Sequence, residues 1–330
     1  MKVGNFFVFG FHGYQLPRWV IDFEKRFGLG GVIFFDYYCQ TKKYENNIES
    51  PEQVRKLCAS VHALASRPLI FVDQEGGKVR RLKQEKGFVP YPSQTQYNKL
   101  TRSEKESASR ASFHELKELG FDYNLAPVID INFNPENSDI GKVERSYSSK
   151  SEDIRENVGI VAAAAQEAGL KLCLKHYPGV GGSKQNAHHE LTDLSDSLTA
   201  EQEELFYELA PKIPGKTVLV SHGIIRQWEP GTPMTMSQVG LGRLRARVPD
   251  ALLISDDMQM QGLQLKYGSK EGSLLGLRAG LDLVLIGNNM LNQEAESVGY
   301  AEHVANAAEH DGAFRTRLLE AEKRIQSRKS

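Results

Sequence analysis

Short apolar runs recur along the chain, and eight of them lack the alternation with polar residues that marks a half-exposed strand. They are rich in Val, Ile, Leu and Phe, which is typical of strands that are covered on both faces in a parallel sheet. The runs are residues 5–11, 31–36, 68–73, 122–130, 171–176, 217–222, 251–256 and 281–287. We therefore predict eight buried parallel strands.

The segments between these runs have the apolar spacing of amphipathic helices. Several begin at a Ser or Thr that can cap a helix and end at a glycine, as at Gly120 and Gly169. The clearest of them are residues 51–65, 103–119, 152–168 and 199–210. Eight alternations of strand and helix predict an α/β fold, a single (β/α)8 TIM barrel over residues 1–330, in which about 314–330 form a charged C-terminal helix or tail.

The rival architecture is an open, doubly wound sheet. Such a sheet would carry a nucleotide-binding Gly-x-Gly-x-x-Gly motif after an early strand, and the sequence has none.

Composition narrows the function. The 330 residues include 41 basic and 42 acidic side chains, a net charge of −1, which gives no reason to expect a nucleic-acid or membrane partner. The three cysteines, Cys39, Cys58 and Cys173, are odd in number and lie in or beside apolar segments, which argues against a disulfide framework. The first residues are interrupted by Gly and His, unlike a signal-peptide core. We expect a cytoplasmic protein that binds a small polar molecule.

In a barrel, polar residues at the carboxyl ends of the strands converge on one mouth. Those positions are occupied by Asp73, Asp130, Asn132, Lys175, His176, His222, Asp256 and Asp257. Any one of them could be only a turn or cap residue, but together they form a polar pocket. Carboxylates beside cations suit a ligand rich in hydroxyl groups, because each hydroxyl can donate to a carboxylate and accept from a cation.

A glycine-rich polar loop follows the fifth run and carries Asn186, His188 and His189. It could be a catalytic lid or a long solvated connection, and this segment alone favours neither. A metal site at these histidines is the weaker idea, because they lack a ligand spacing and a nearby carboxylate that would orient them. We expect no metal and no cofactor.

Eight motifs occur in an order that resembles glycoside hydrolase family 3, in particular the short, single-barrel β-N-acetylglucosaminidases (β-hexosaminidases) of the NagZ type, which act in bacterial cell-wall (peptidoglycan) recycling. The motifs are GGVIFF (30–35), VDQEGGKVRRL (72–82), NLAPVIDIN (124–132), ERSYSS (144–149), LKHYPGVGG (174–182), an H-x-L at 189–191, SDDMQM (255–260) and AGLDLVLIGNN (279–289). The resemblance covers nearly the whole chain.

The resemblance implies a retaining exo-β-N-acetylglucosaminidase with Asp256 as the nucleophile and His188 as the acid/base on the loop. In this subgroup an aspartate two residues earlier pairs with the histidine. The residues that the resemblance assigns to the sugar hydroxyls are Asp73, Arg81, Arg145, Lys175 and His176. It also implies that the substrate is a small-molecule glycoside, and we expect the protein to act as a monomer.

The sequence departs from the family pattern in the loop. Asn186 stands where the dyad aspartate is expected, Val180 replaces the histidine of a PGHG, and Gly182 replaces an acidic residue. An asparagine brings no charge to the histidine, so we expect slower turnover, unless Glu190 or Asp193 supplies the carboxylate. Two alternatives stay open: a glycoside phosphorylase with this fold, because the loop has lost negative charge, and a sugar-binding pseudoenzyme.

Overall fold

The computed structural model describes residues 1–184 and 191–329. In these residues, eight parallel strands close into a barrel in chain order, with the last strand beside the first. The strands are β1 Phe7–Phe9, β2 Gly31–Phe34, β3 Leu69–Val72, β4 Tyr123–Asn124, β5 Lys171–Tyr177, β6 Thr217–Val220, β7 Leu252–Asp257 and β8 Leu283–Ile286. The predicted (β/α)8 barrel is confirmed.

Helices connect the strands, and the sequence signals mark their ends well. Thr101 and Glu104 form a reciprocal capping box at the start of α4, and Gly120 ends that helix with a φ of 102°. The helices are α1 Arg18–Phe27, α2 Pro51–His62, α3 Gln94–Asn98, α4 Arg102–Leu119, α5 Ser151–Ala168, α6 Ala200–Leu209, α7 Gln238–Arg247, α8 Gln261–Gln264, α9 Ser269–Ala279, α10 Ser297–His310 and α11 Gly312–Lys329.

Strand β4 is much shorter than the predicted run of residues 122–130. Pro127 has no backbone N–H, so the regular ladder of hydrogen bonds stops there. The chain nevertheless stays beside β5: the N–H of Cys173 donates to the Ala126 carbonyl at 3.0 Å, and the N–H of Ile129 donates to the Lys175 carbonyl at 2.9 Å. The barrel therefore stays closed, although the chain beside β5 is irregular after β4 ends.

Aromatic side chains attach β1 to the surrounding helices. Phe7 and Phe9 are two residues apart, so their fully buried rings lie on the same side of the strand, 5.5 Å from each other. The ring of Phe9 also packs edge-on against Phe23 of α1, with 5.1 Å between the ring centres. The rings of Phe7 and Phe9 both stack on Tyr300 of α10. Burying large rings at this seam, where β1 meets β8, stabilises closure.

A short hairpin follows β3, formed by Gln74–Gly76 and Val79–Arg80. Gly76 has a φ of 95°, and a Cβ at this position would lie 1.9 Å from the carbonyl oxygen of Pro92. Only glycine fits this close approach. The hairpin turns Glu75 and Arg81 back toward the barrel mouth.

The last helix, α11, is charged but has one apolar stripe. Phe314, Leu318, Ala321 and Ile325 are buried at spacings of three or four residues, so the helix packs along its full length. None of the described helices is long and apolar enough to span a bilayer.

Candidate active site

The carboxyl ends of the barrel strands surround a cavity of about 360 Å³, a size suited to a small ligand. Its wall includes all five residues predicted to bind the sugar, Asp73, Arg81, Arg145, Lys175 and His176, together with Asp256, His222 and Asp257. These side chains are far apart in the chain, and the fold brings them together. The other two predicted catalytic residues, Asn186 and His188, lie outside the described residues.

Lys175 lies between two carboxylates at the end of β5. Its ammonium nitrogen is 2.7 Å from Asp73 Oδ1 and 2.5 Å from Glu75 Oε1. Burial alone would lower the pKa of this lysine, but the charges of Asp73 and Glu75 outweigh burial and raise the pKa above its usual value. Lys175 is therefore charged at neutral pH and held in one position.

Asp73 and Glu75 stay ionised although both are enclosed. Burial by itself would raise the pKa of each carboxyl group. The charges of Lys175 and Arg81 reverse that effect and hold the pKa of Asp73 well below its usual value. The charges of Arg145 and Lys175 lower the pKa of Glu75 to about 2. This wall therefore carries two carboxylates and three cations at neutral pH.

Arg145 is fixed by a bidentate ion pair. Its Nε and Nη2 donate to the two oxygens of Glu75 at 2.7 and 2.8 Å, and its Nη1 donates to the Asp139 carbonyl at 2.9 Å. The planar guanidinium suits this fork geometry, which a lysine could not reproduce. Glu75 therefore holds both Arg145 and Lys175.

Asp130 and Arg145 determine the proton position on His176. The imidazole Nδ1 is 2.8 Å from Asp130 Oδ2, and Nε2 is 2.9 Å from Nη2 of Arg145. A carboxylate accepts and a guanidinium donates, so Nδ1 carries the proton and Nε2 accepts. Asp130 is fully buried and also accepts the backbone N–H of Val180 at 2.7 Å. The ring is thus neutral and oriented on both sides.

Arg81 reaches the cavity from the hairpin. Its Nη2 is 3.2 Å from Asp73 Oδ2, and its Nη1 is 3.8 Å from the buried Asp36. Asp36 also lies 2.6 Å from the ammonium of Lys83. The backbone N–H of Arg81 donates to the side-chain oxygen of Gln74 at 3.0 Å, which ties the arginine to the first strand of the hairpin.

Two consecutive aspartates at the end of β7 have different environments. Asp256 is partly exposed on the cavity wall, and its Oδ1 accepts the backbone N–H of Asp257 at 2.8 Å. Asp257 is buried, and its Oδ1 accepts the N–H groups of Gln259 and Gly287 at 2.9 and 3.1 Å. Burial raises the pKa of Asp257 to about 7, in spite of those two bonds. Of these two neighbours, Asp256 is the one with a partly exposed carboxylate, whereas the carboxyl group of Asp257 is buried.

His222, at the end of β6, supports this pair. Its Nε2 is 3.0 Å from the Asp257 carbonyl, which can only accept, so Nε2 carries the proton. Its Nδ1 accepts the hydroxyl of Thr235 at 2.8 Å. Burial lowers the pKa of His222, and the ring is therefore neutral. His222 orients the backbone of β7 where the two aspartates begin.

Sequence reasoning missed Glu75 and Asp36 as parts of this network. Glu75 belongs to the same DQEGG motif as Asp73, but its inward direction depends on the hairpin, which was not predicted. Asp36 ends the second predicted strand, and the signal that could have identified it is that strand-end position.

The rest of the cavity wall is largely apolar. Side chains of this type include Ile33, Phe35, Leu125, Leu219, Met260 and Leu285. A cavity wall that combines fixed donors and acceptors with apolar side chains suits a sugar ring that has hydroxyl groups at its edge and C–H groups on its faces. Within residues 1–184 and 191–329, no three His, Cys, Asp or Glu side chains are grouped as metal ligands.

Comparison with known proteins identifies the family of the chain. Residues 22–327 match the family described as the glycosyl hydrolase family 3 N terminal domain. The chain belongs to this family of glycoside hydrolases. The family membership expected from the sequence motifs is confirmed.

Individual proteins resemble the chain in sequence or in fold over most of its length. The chain is 29% identical to a beta-hexosaminidase of Pseudomonas aeruginosa over 274 residues, which is 81% of this chain and 77% of that one. A β-N-acetylglucosaminidase of this family from Paenibacillus sp. is 27% identical, with a TM-score of 0.87 over 99% of this chain and 61% of its own longer chain. NagZ of Neisseria gonorrhoeae, 21% identical, has a TM-score of 0.71 and covers 97% of both chains, which shows the shared fold.

Proposed function

We propose that the protein is a retaining exo-β-N-acetylglucosaminidase, and that the cavity holds the terminal sugar. The observation that carries the proposal is the placement of Asp256 on the wall of a cavity that also holds the fixed Asp73, Lys175 and Arg145. The names of the relatives support the substrate class, since beta-hexosaminidases are 29% identical to this chain.

Asp256 would attack the anomeric carbon and form a covalent glycosyl ester, which water then hydrolyses. The hydrogen bond from the Asp257 N–H orients one carboxylate oxygen. Because burial raises the pKa of Asp257 to about 7, this neighbour is partly protonated at neutral pH and repels a carboxylate at Asp256 less than a fully ionised aspartate would. In this proposal Asp256 is the reactive carboxylate, and Asp257 has a structural role.

The ion-paired wall would recognise the sugar hydroxyls. Asp73 can accept hydrogen bonds from them, whereas Arg81 and Arg145 can donate. Because these groups are already fixed by one another, binding the sugar requires little further ordering of side chains. His176 would contribute through Arg145, to which its Nε2 is bonded.

His188 is our candidate for the acid/base, and Asn186 for the neutral stand-in of its partner. Both assignments rest on the sequence, where the GVGGSKQNAHHEL stretch follows β5. A histidine with a pKa near 6.5 can both give and take a proton at neutral pH. An uncharged Asn186 would stabilise the imidazolium less than an aspartate, which lowers the rate of leaving-group protonation.

Phosphorolysis is the second candidate. The observation that favours it is Asn186 itself, because a neutral residue in place of the dyad aspartate repels an attacking phosphate less than a carboxylate would.

We further propose that the substrates are small glycosides from cell-wall fragments and that the enzyme acts as a monomer in the cytoplasm. The cell-wall substrate rests on the family resemblance, and the cytoplasmic location rests on the cysteines and the first residues of the chain.

A time course with an aryl β-N-acetylglucosaminide, with and without phosphate, tests the proposal. We expect release of free N-acetylglucosamine in both conditions, first as the β-anomer when followed by NMR. Accumulation of the sugar 1-phosphate would instead identify a phosphorylase. Binding of N-acetylglucosamine without any turnover would identify a sugar-binding protein that has lost catalysis.

A further inference from the structure

A second cleft lies at the opposite end of the barrel from the cavity. It has a volume of about 470 Å³ and is formed by the amino ends of β5, β6 and β7 together with α11. Its charged wall consists of Lys171, Lys216, Asp250, Lys323, Arg324 and Arg328. We refer to these residues as the basal cleft.

The basal cleft concentrates positive charge in a chain whose net charge is only −1. Five of its side chains are cationic and one is acidic. Within the described part of the chain, no carboxylate lies within 4 Å of the charged nitrogens of Lys171, Lys216, Lys323 or Arg328. These four cationic groups therefore form no direct ion pair with the described part of the chain, and carboxylates reach the cleft only at Asp250 and, through Arg324, at Asp282.

The two arginines are held in place without losing that charge. Arg328 donates to the backbone carbonyls of Gly215 and Asp250, both at 2.6 Å, and a carbonyl carries no net charge. Arg324 lies 3.0 Å from the fully buried Asp282. That single carboxylate is shared with two more arginines: its other partners are Arg245, at 2.8 Å, and Arg317, at 3.1 Å. Behind the cleft, three guanidinium groups thus face one carboxylate.

Lys171 is half-buried beside these groups. Burial lowers the pKa of its ammonium group. Among the nearby charges, Asp122 has the largest effect and raises the pKa, whereas Lys117 and Arg328 lower it. An anion in the cleft would stabilise the charged form of Lys171 and offset the repulsion among the cations.

We propose that the basal cleft binds a small phosphate compound with several negative charges, of which diphosphate is the simplest example. Lysines act as mobile point charges and fixed guanidinium groups as planar donors, and phosphate oxygens accept from both. The cations line a cleft bounded by α11 and two loops, not an extended stripe, so a compact ligand fits better than a polymer.

This site and the cavity at the barrel mouth use opposite ends of the same strands. Lys171 begins β5, which ends beside His176, and Asp250 precedes β7, which ends at Asp257. A ligand in the basal cleft would therefore not compete with a sugar in the cavity, and the proposal does not depend on the proposed function.

Calorimetric titration with inorganic diphosphate, in low salt and with N-acetylglucosamine present, tests the proposal. The decisive variant is Lys216→Glu combined with Lys323→Glu, since both lysines are exposed. The matched control is Lys25→Glu combined with Lys270→Glu, two exposed lysines elsewhere that give the same change in net charge. The neutral pair Lys216→Gln and Lys323→Gln serves as a milder second variant, and circular dichroism checks that each protein is folded.

We expect saturable one-to-one binding by the wild type and the control, weakened about tenfold or more in the Glu variant and less in the Gln variant. Equal affinity for diphosphate in all proteins would overturn the proposal that the basal cleft is the binding site. So would an equal loss in the control, which would indicate only a general charge effect, or the absence of saturable binding by the wild type. A clear preference for heparin or RNA over diphosphate would overturn the proposal that the ligand is a small phosphate compound.

Discussion

Glu75 and Arg145 form a bidentate ion pair, with hydrogen bonds of 2.7 and 2.8 Å, and the same carboxylate contacts Lys175 at 2.5 Å. Glu75 is nearly inaccessible to solvent. One buried carboxylate therefore positions two of the cations that we assign to sugar binding.

Replacing Glu75 with glutamine should weaken both sugar binding and folding. The amide keeps the size of the side chain but leaves two cations with less compensation, and breaking a buried pair destabilises by about 3 kcal/mol. We expect a KM for an aryl N-acetylglucosaminide about tenfold higher or more, and a lower free energy of unfolding in denaturant titrations.

Glu85→Gln is the matched control for that variant. Glu85 is exposed and lies 3.7 Å from Arg80, so its loss should change neither quantity measurably. A Glu75→Gln protein with the KM and stability of the Glu85→Gln protein would contradict the positioning role of Glu75.

The raised pKa of Asp257 predicts a pH-dependent stability. A group whose pKa is higher in the folded state contributes stability that is complete below the unfolded pKa, near 4, and is lost as the pH rises through the folded value of about 7. Relative to Asp257→Asn, the wild type should therefore lose up to about 4 kcal/mol of unfolding free energy between pH 4 and 8.

Denaturant titrations of both proteins across that range measure the difference. Asp22→Asn, at an exposed position on α1, should follow the wild-type profile. Parallel profiles for Asp257→Asn and the wild type would mean that Asp257 does not titrate in this window.

Asn186→Asp should restore charge to the proposed acid/base pair. A carboxylate beside His188 would favour the imidazolium that protonates the leaving oxygen, so hydrolysis of substrates with poor leaving groups should rise more than that of activated aryl substrates. Added azide or phosphate should assist the wild type more than the variant. Equal or slower hydrolysis in the variant, with no anion response in either protein, would refute the pair.

The barrel could be predicted because apolar runs and helix-ending glycines are features of short stretches of sequence. Each of the eight apolar runs overlaps one strand, and glycines such as Gly120 and Gly169 end helices where the sequence indicates. The one large difference, the short β4, arises from Pro127, whose missing N–H interrupts pairing within a run that is otherwise apolar.

The contacts between side chains within the site were less predictable than the fold. Strand-end positions identify Asp73, Lys175 and Asp256, because the barrel directs every such position to one mouth. They do not identify Glu75, whose direction depends on a two-stranded hairpin and a glycine packed against Pro92. Nor do they assign the proton on His176, which is determined by partners distant in the sequence.

The central claim, that Asp256 is the nucleophile, is tested most directly by trapping the covalent intermediate. A slow fluorinated N-acetylglucosaminide should label the protein, and peptide mapping by mass spectrometry should place the glycosyl ester on Asp256. The Asp257→Asn protein should still be labelled, whereas Asp256→Ala should be unlabelled and lose several powers of ten in turnover while it stays folded. An ester on another residue, or more than a few per cent of activity in Asp256→Ala, would contradict the account.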